Sequence, residues 1–386
     1  MGILAANRRA YRPFALASII YLLAESWAAA EDHSDYQFEF YSEEKDRIQV
    51  RTHTGLFEQG VTRWLALRGS VVYDGISGAT PRGGPPPPGS SQVALAEIND
   101  ERYAGALEAD LKFGPHTFRP GIALSTENDY ESIVPSLNYV LDLNQRNTTI
   151  QAGASHNFDR LTAGIFLGPQ SQERQSTDFL LGITQVITPT TLLNASFTFG
   201  TASGYLSDPY KGFQFSGYPD PNALFPEHRP GHRTKEIFAA SLNQFVEPLN
   251  GSPELTYRFY HDSFGIFAHT ASLEWFQKIG RRVIVAPLFR YYQQSAADFY
   301  RINFDADPSD PENPNNVLIP EFYSSDYRLS KLHTFTYGIM ATVRARKRLF
   351  FDAAYKRYEM HGLDGQTAAS NYPIANVWTL GVRFDY

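Results

Sequence analysis

The last eleven residues of the chain read NVWTLGVRFDY, Asn376 to Tyr386. Counting back from the end in steps of two gives Tyr386, Phe384, Val382, Leu380 and Trp378, all apolar or aromatic. The residues between them, Asp385, Arg383, Gly381 and Thr379, are small, polar or charged. This period of two describes a β-strand with one apolar and one wet face. If the apolar face meets hydrocarbon, no water satisfies an open sheet edge, and the last strand must pair with the first.

The same pattern recurs upstream. TLLNASFTFG sets Leu193, Ala195, Phe197 and Phe199 against Asn194, Ser196 and Thr198. PELTYRFYHD sets Leu255, Tyr257 and Phe259 against Glu254, Thr256, Arg258 and Tyr260. RLFFDAAYKRY alternates Leu349, Phe351, Ala353 and Tyr355 with Phe350, Asp352, Ala354 and Lys356. No helical period of comparable length occurs. About sixteen such segments are expected, starting near 34, 46, 62, 102, 116, 130, 147, 175, 190, 233, 252, 264, 280, 329, 347 and 374.

The connections decide the architecture. A tight set at 59–61, 114–115, 144–146, 188–189, 248–252, 280–281 and 344–347 alternates with a mostly long set at 76–101, 159–175, 203–233, 295–326 and 361–372. A sandwich gives no reason for this alternation. A transmembrane antiparallel β-barrel does, having short periplasmic turns and longer external loops. The expected fold class is therefore all-β, a single such barrel.

Composition and the N-terminus agree with that reading. The 386 residues include no cysteine, so no disulfide framework or thiolate metal site exists. Aromatics make up 14% of the chain, high for a soluble protein, and a net charge of −7 gives no support to a nucleic-acid partner. Arg8, Arg9 and Arg12 precede an apolar run from Phe14 to Ala24, followed by small Ala28 and Ala30. This is the layout of a secretory signal peptide, residues 1–30, leaving residues 31–386 as an outer-membrane barrel. The run is shorter than the roughly 20 residues a spanning helix needs.

Placing the polar face inward puts charges of both signs in the lumen. The candidates are Arg47, Arg51, Arg68, Arg119, Arg258 and Arg383 with Asp74, Glu108, Asp110 and Glu274; Lys112, Arg344, Lys356, Asp142, Asp178, Glu254, Asp352 and Asp385 share the pattern. Either rings of charge set selectivity, as in pores, or cross-strand ion pairs brace the wall. About sixteen strands leave room for an aqueous channel, unless long loops fold inward.

No catalytic constellation is visible. His156 follows Ser155 and His261 precedes Asp262, but neither forms the set that a barrel hydrolase requires. No enzyme activity, cofactor or metal is expected. GGPPPPG, Gly83 to Gly89, is a stiff polyproline loop, not a phosphate cradle. DADPSDPENPNN, Asp305 to Asn316, is acidic, but its spacing does not fit an EF-hand. ENDYE, Glu127 to Glu131, is an acidic stretch at an outer turn, where a divalent ion would bridge to lipopolysaccharide phosphates.

Seven stretches carry a resemblance: YDGISGATPRG (Tyr73–Gly83), STENDYES (Ser125–Ser132), LNQRNTTIQAG (Leu143–Gly153), STDFLLGITQVITPTTLL (Ser176–Leu193), GYLSDPYK (Gly204–Lys211), RYYQQSAADFY (Arg290–Tyr300) and SSDYRLS (Ser324–Ser330). They resemble a bacterial family of barrels expected in the outer membrane and catalogued only as a domain of unknown function. The resemblance implies no activity. It implies encoding beside a small lipoprotein and a flavin-transferase-like protein, hence a lipoprotein partner. The turn-rich motifs either shape loop bases or build an inward vestibule around Asp74, Tyr205, Asp208, Tyr210 and Lys211. Leu380, Val382, Phe384 and Tyr386 resemble the terminal signal read by the barrel-assembly machinery.

Three functions follow as expectations in the bacterial cell outer membrane. The first is a porin-like channel passing small polar solutes passively. The second is a loop-plugged structural or assembly barrel that anchors an envelope lipoprotein. The third is a barrel hydrolase acting at the outer rim.

Overall fold

The computed structural model describes residues 32–167, 170–213, 215–216, 225–305 and 320–386. The expected signal peptide, most of the acidic loop 305–316 and part of two long loops lie outside the described residues. Sixteen strands form one closed antiparallel barrel. They are β1 His33–Glu43, β2 Gln49–Gly60, β3 Leu65–Pro81, β4 Leu95–Phe113, β5 His116–Thr126, β6 Tyr130–Leu143, β7 Thr148–Leu161, β8 Gln172–Thr188, β9 Thr191–Gly204, β10 His232–Gln244, β11 Gly251–Asp262, β12 Phe267–Ile279, β13 Val283–Gln294, β14 Leu332–Arg346, β15 Leu349–Gly362 and β16 Ile374–Asp385.

The closing pair is β1 with β16, running from His33 opposite Asp385 to Glu43 opposite Ala375. The Tyr386 N–H donates to the Asp32 carbonyl at 2.8 Å and finishes the seam. Every barrel strand is thus paired on both sides, and no edge remains for hydrocarbon to meet.

The alternation sorts the two faces. Trp378 and Leu380 are 55% and 59% exposed on the outside, while Thr379 between them is buried. Phe197, Phe238, Leu255, Leu273, Phe289 and Ile339 continue the apolar outer wall. Asn194, Thr198, Ser241 and Glu254 turn inward and are buried. An outer surface this apolar is what a barrel shows to lipid, with polar residues left for the lumen. Tyrosine–histidine pairs also lie along this wall, among them Tyr36 with His53 and Tyr257 with His269, each at 2.8 Å, and His116 with Tyr139 at 2.7 Å beside the tight turn 114–115.

Turn lengths alternate as expected. The tight connections are 61–64, 114–115, 144–147, 189–190, 245–250, 280–282 and 347–348. The other rim carries 82–94, 162–171, 205–231, 295–331 and 363–373, with short members at 44–48, 127–129 and 263–266. One strand departs from expectation: β4 begins at Leu95, not near 102. It meets β5 only from Tyr103 onward, so 95–102 forms a hairpin with β3 that projects past the rim. In LAEINDE there, Leu95, Glu97, Asn99 and Glu101 form the exposed face and Ala96, Ile98 and Asp100 the covered one, so each face mixes apolar and acidic residues and polarity does not alternate.

The face assignment gives a direct test. Phe197→Arg places a charge on the lipid face and should cost about 2–4 kcal/mol near the midplane. Ser196→Arg, turned inward, should leave assembly intact. Folded yield of the two variants, read by heat-modifiable gel mobility, separates them; equal yields would overturn the assignment.

Candidate functional site at the barrel mouth

Ion pairs line the lumen wall. Arg68 bonds Glu58 at 2.9 Å and approaches Asp110 at 3.5 Å. Arg119 grips the same Asp110, its second nitrogen at 3.2 Å, and both side chains are fully buried. Asp74 accepts from Thr52 at 2.6 Å and from Arg102 Nε at 2.7 Å. These contacts join neighbouring strands, so here the charges brace the wall. Glu108 lies over the wall at Gly121, where a Cβ would stand 3.0 Å from its Cγ. Arg383 pairs with Asp385 at 2.6 Å near the tight-turn rim. Arg258 lies over the Tyr260 ring at 5.4 Å. Glu274 occupies the inward register of β12.

Two lumen assignments are corrected. Arg51 is on the outer face, its guanidinium 5.8 Å from the Phe40 ring centre. The β1–β2 turn resets the alternation: Thr52 and Thr54 point inward, and Arg51 lies along the wall. Arg47 is in that turn, not in the wall. It pairs with Glu43 at 3.0 Å and donates to the carbonyls of Ser370 and Asn371 at 3.0 and 3.2 Å.

The loops 205–231 and 295–331 meet over the mouth and form a cap. Their backbones pair at His228 and Tyr323, with bonds of 3.0 and 2.7 Å, and at Phe215 with Phe304. Phe213, Phe225, Phe304 and Tyr323 give the cap a small apolar core.

Beside that core lies an ion network. Asp208 pairs with Arg328 at 2.5 Å and Arg229 with Asp326 at 2.9 Å, both across the two loops. Within the loops, Arg229 holds Glu227 at 2.6 Å and Arg328 holds Asp326. Asp326 also caps the 3-10 turn Tyr327–Leu329, accepting from the Arg328 N–H at 3.1 Å. Burial opposes the Asp208 charge, yet the guanidinium of Arg328 keeps the carboxyl below the usual range. Asp326 is held well below it for the same reasons. Glu227 is pushed up by burial, against the pull of Arg229.

The cap touches opposite sides of the rim. On one side Lys211 donates to the Pro81 carbonyl and, at 3.3 Å, to Thr80. Burial and Arg328 lower its pKa. Ser325 receives the Gly84 N–H at 3.1 Å, and the Tyr210 hydroxyl donates to Asp129. On the other side Gln294 donates to the carbonyls of Arg328 and Ser330 at 3.0 and 2.8 Å. Leu329 packs with Phe264, Ile266 and Ala268, while Tyr327 packs with Leu332, Met360 and Tyr372.

Of the expected vestibule residues, Asp208, Tyr210 and Lys211 are therefore cap contacts. Tyr205 anchors the loop base, its N–H donating to the Glu173 carbonyl at 2.9 Å. Asp74 stays in the wall below. Sequence reasoning missed Glu227, Arg229, Asp326 and Arg328. Their signal was an acid-x-Arg repeat, EHR at 227–229 and DYR at 326–328.

Asp100, Glu127 and Asp129 bring carboxylate oxygens within 4.8 Å of one another beside the cap. Such an oxygen-only set suits a hard cation. His156 and His261 both lie on the outer wall. The first bonds Thr177 at 2.8 Å and the second lies tilted against Phe267, ring centres 4.3 Å apart.

The family model described as protein of unknown function, DUF3570, matches residues 15–168 and 165–374. The chain belongs to that family. No curated protein matches. Among solved structures, CdiB from Acinetobacter baumannii aligns at a TM-score of 0.51 and 7% identity, covering 93% of this DUF3570 chain and 61% of CdiB. The siderophore receptor PirA from Pseudomonas aeruginosa aligns at 0.45 and 10%, covering 92% of this chain, which spans 62% of the receptor. A BenF-like porin from Pseudomonas fluorescens Pf-5 aligns at 0.46 and 7%, covering 92% of this chain and 98% of the porin. These likenesses concern the barrel fold.

The acidic cluster gives a pH prediction. Burial lifts the Glu127 carboxyl to about 7, with Arg102 pulling it down and Asp100 and Asp129 adding to the rise. A raised carboxyl favours the fold while protonated. Its stabilising effect is complete below the ordinary value of 4.5 and is lost as pH rises through 7. Glu127→Gln should remove that loss, slowing amide exchange at residues 128–129 at pH 8 by an amount worth roughly 3 kcal/mol. Equal exchange in both proteins at pH 8 would contradict it.

Proposed function

We propose that this barrel lies in the outer membrane of a Gram-negative bacterium and passes small polar solutes passively, with the two-loop cap as its gate. The carrying observation is a closed sixteen-strand wall, polar inside, whose mouth is spanned by a separately packed cap held through ion pairs. A barrel of this size has room for an aqueous lumen. Its inward side chains include many small or uncharged ones, among them Gly153, Ser155, Gly182, Ser196 and Ala239. On this reading the protein is a conduit, not a catalyst. It is inserted by the barrel-assembly machinery, and its acidic rim faces lipopolysaccharide.

The cap also favours a second reading. With its own core and anchors on both sides of the rim, it would suit a permanent plug on a barrel that anchors a small lipoprotein.

Single-channel recording decides between them. The double variant Asp208→Asn, Arg328→Gln removes one cross-loop pair and should raise open probability well above wild type at unchanged step size. Heat-modifiable mobility checks that the variant is folded. A folded variant that gives no steps would sink the gated conduit and support the permanent plug.

A further inference from the structure

Three strands on one arc of the lumen repeat a pattern. Arg258 and Tyr260 on β11, Arg290 and Tyr292 on β13, and Lys356 and Tyr358 on β15 share the inward register. Each cation is the eighth residue of its strand and each tyrosine the tenth, counted from the tight-turn rim. The three cations therefore stand at one height on alternate strands.

The intervening strands add hydroxyls at that height. Thr270 on β12 is opposite Arg258, and Ser272 is opposite Arg290. Thr336 on β14 faces Arg290 from the other side. The Thr270 hydroxyl is buried, with the residue 7% exposed, and has no hydrogen-bond partner among the described residues. On β14, Gly338 opposite Lys356 keeps the wall thin: a Cβ there would come 3.0 Å from Lys356 Cγ.

The tyrosines form the ceiling of this patch and the floor of the cap. Tyr260 and Tyr292 pack against the cluster that holds Leu329, and Tyr292 and Tyr358 against the one that holds Tyr327. The Tyr292 hydroxyl donates at 2.6 Å to Gln294, which holds the cap turn. Two carboxylates, Glu39 and Glu274, lie within electrostatic reach of Lys356, as does Arg290. Glu254 also faces inward, opposite Glu274, so the three cations stand among three carboxylates.

We propose that Arg258, Arg290 and Lys356, with Thr270, Ser272 and Thr336, form a binding site for a small oxyanion, a carboxylate or phosphate group, directly beneath the cap. This rests on the conduit reading and names the solute class that such a conduit would favour. Guanidinium groups match the two oxygens of an oxyanion, and hydroxyls supply the remaining donors. A ceiling of tyrosine rings lowers the local dielectric and strengthens the attraction.

Calorimetric titration of the folded barrel with inorganic phosphate in chloride buffer at pH 7 tests the site. Wild type should bind saturably. Arg290→Gln should bind about tenfold more weakly, the loss of one charge-assisted contact. Arg290→Lys should lose less, and Arg344→Gln, at the tight-turn rim, should match wild type. Lys356→Gln provides a second variant should Arg290→Gln fail to fold. Absence of wild-type binding would show that Glu39, Glu254 and Glu274 neutralise the three cations, and overturns the site. Binding unchanged in Arg290→Gln or Lys356→Gln overturns it too. In bilayers, the uncapped double variant should prefer anions over potassium. Conduction without phosphate binding sinks the site and spares the channel; phosphate binding without conduction does the reverse.

Discussion

An N–H or C=O group in hydrocarbon must find its partner within the protein. Everything else in this molecule follows from that demand. It requires the seam between β1 and β16, where His33 to Glu43 lie against Ala375 to Asp385. It makes every barrel strand a two-sided neighbour. It also pushes irregular structure to the rims, where water satisfies the backbone. Only there is the chain free to build the cap.

Most of the barrel was legible because each strand lies between two solvents of opposite character. Leu193, Ala195, Phe197 and Phe199 alternate with Asn194, Ser196 and Thr198 for that reason alone, and the alternation needs no knowledge of the partner strand. Legibility ended where hydrocarbon no longer met one face. The segment 95–102 stands beyond the rim, its exposed face mixing Leu95 with Glu97, Asn99 and Glu101, and its start was misplaced. Arg51 was misplaced because the turn before β2 shifts the phase, and a long cationic stem tolerates the outer wall.

The mouth was less legible. Asp208 and Arg328 lie far apart in sequence and meet only after two strand pairs bring their loops together. The motifs GYLSDPYK and SSDYRLS marked the right segments, and turn chemistry explained their residue types well enough to hide the ion network. The crossed acid-x-Arg repeats were present in the sequence. Their pairing depends on a topology that local patterns do not contain. The cation-x-Tyr repeat of β11, β13 and β15 was similarly hidden: equal heights emerge only once all three strand starts are known.

The cap is tethered unevenly. Its two loops leave the barrel between β9 and β10 and between β13 and β14, so every covalent attachment lies on one arc. Its contacts across the mouth, at Thr80, Pro81 and Asp129, are polar and non-covalent. On the gated-conduit proposal, a lid fixed along one arc would swing about a single axis, like a flap on a strap hinge. Such a motion keeps both loop ends at fixed separation, so opening carries little further loop-closure entropy. The work of opening is then concentrated at the far edge, and a load applied there, over β3 to β6, has the longest lever arm.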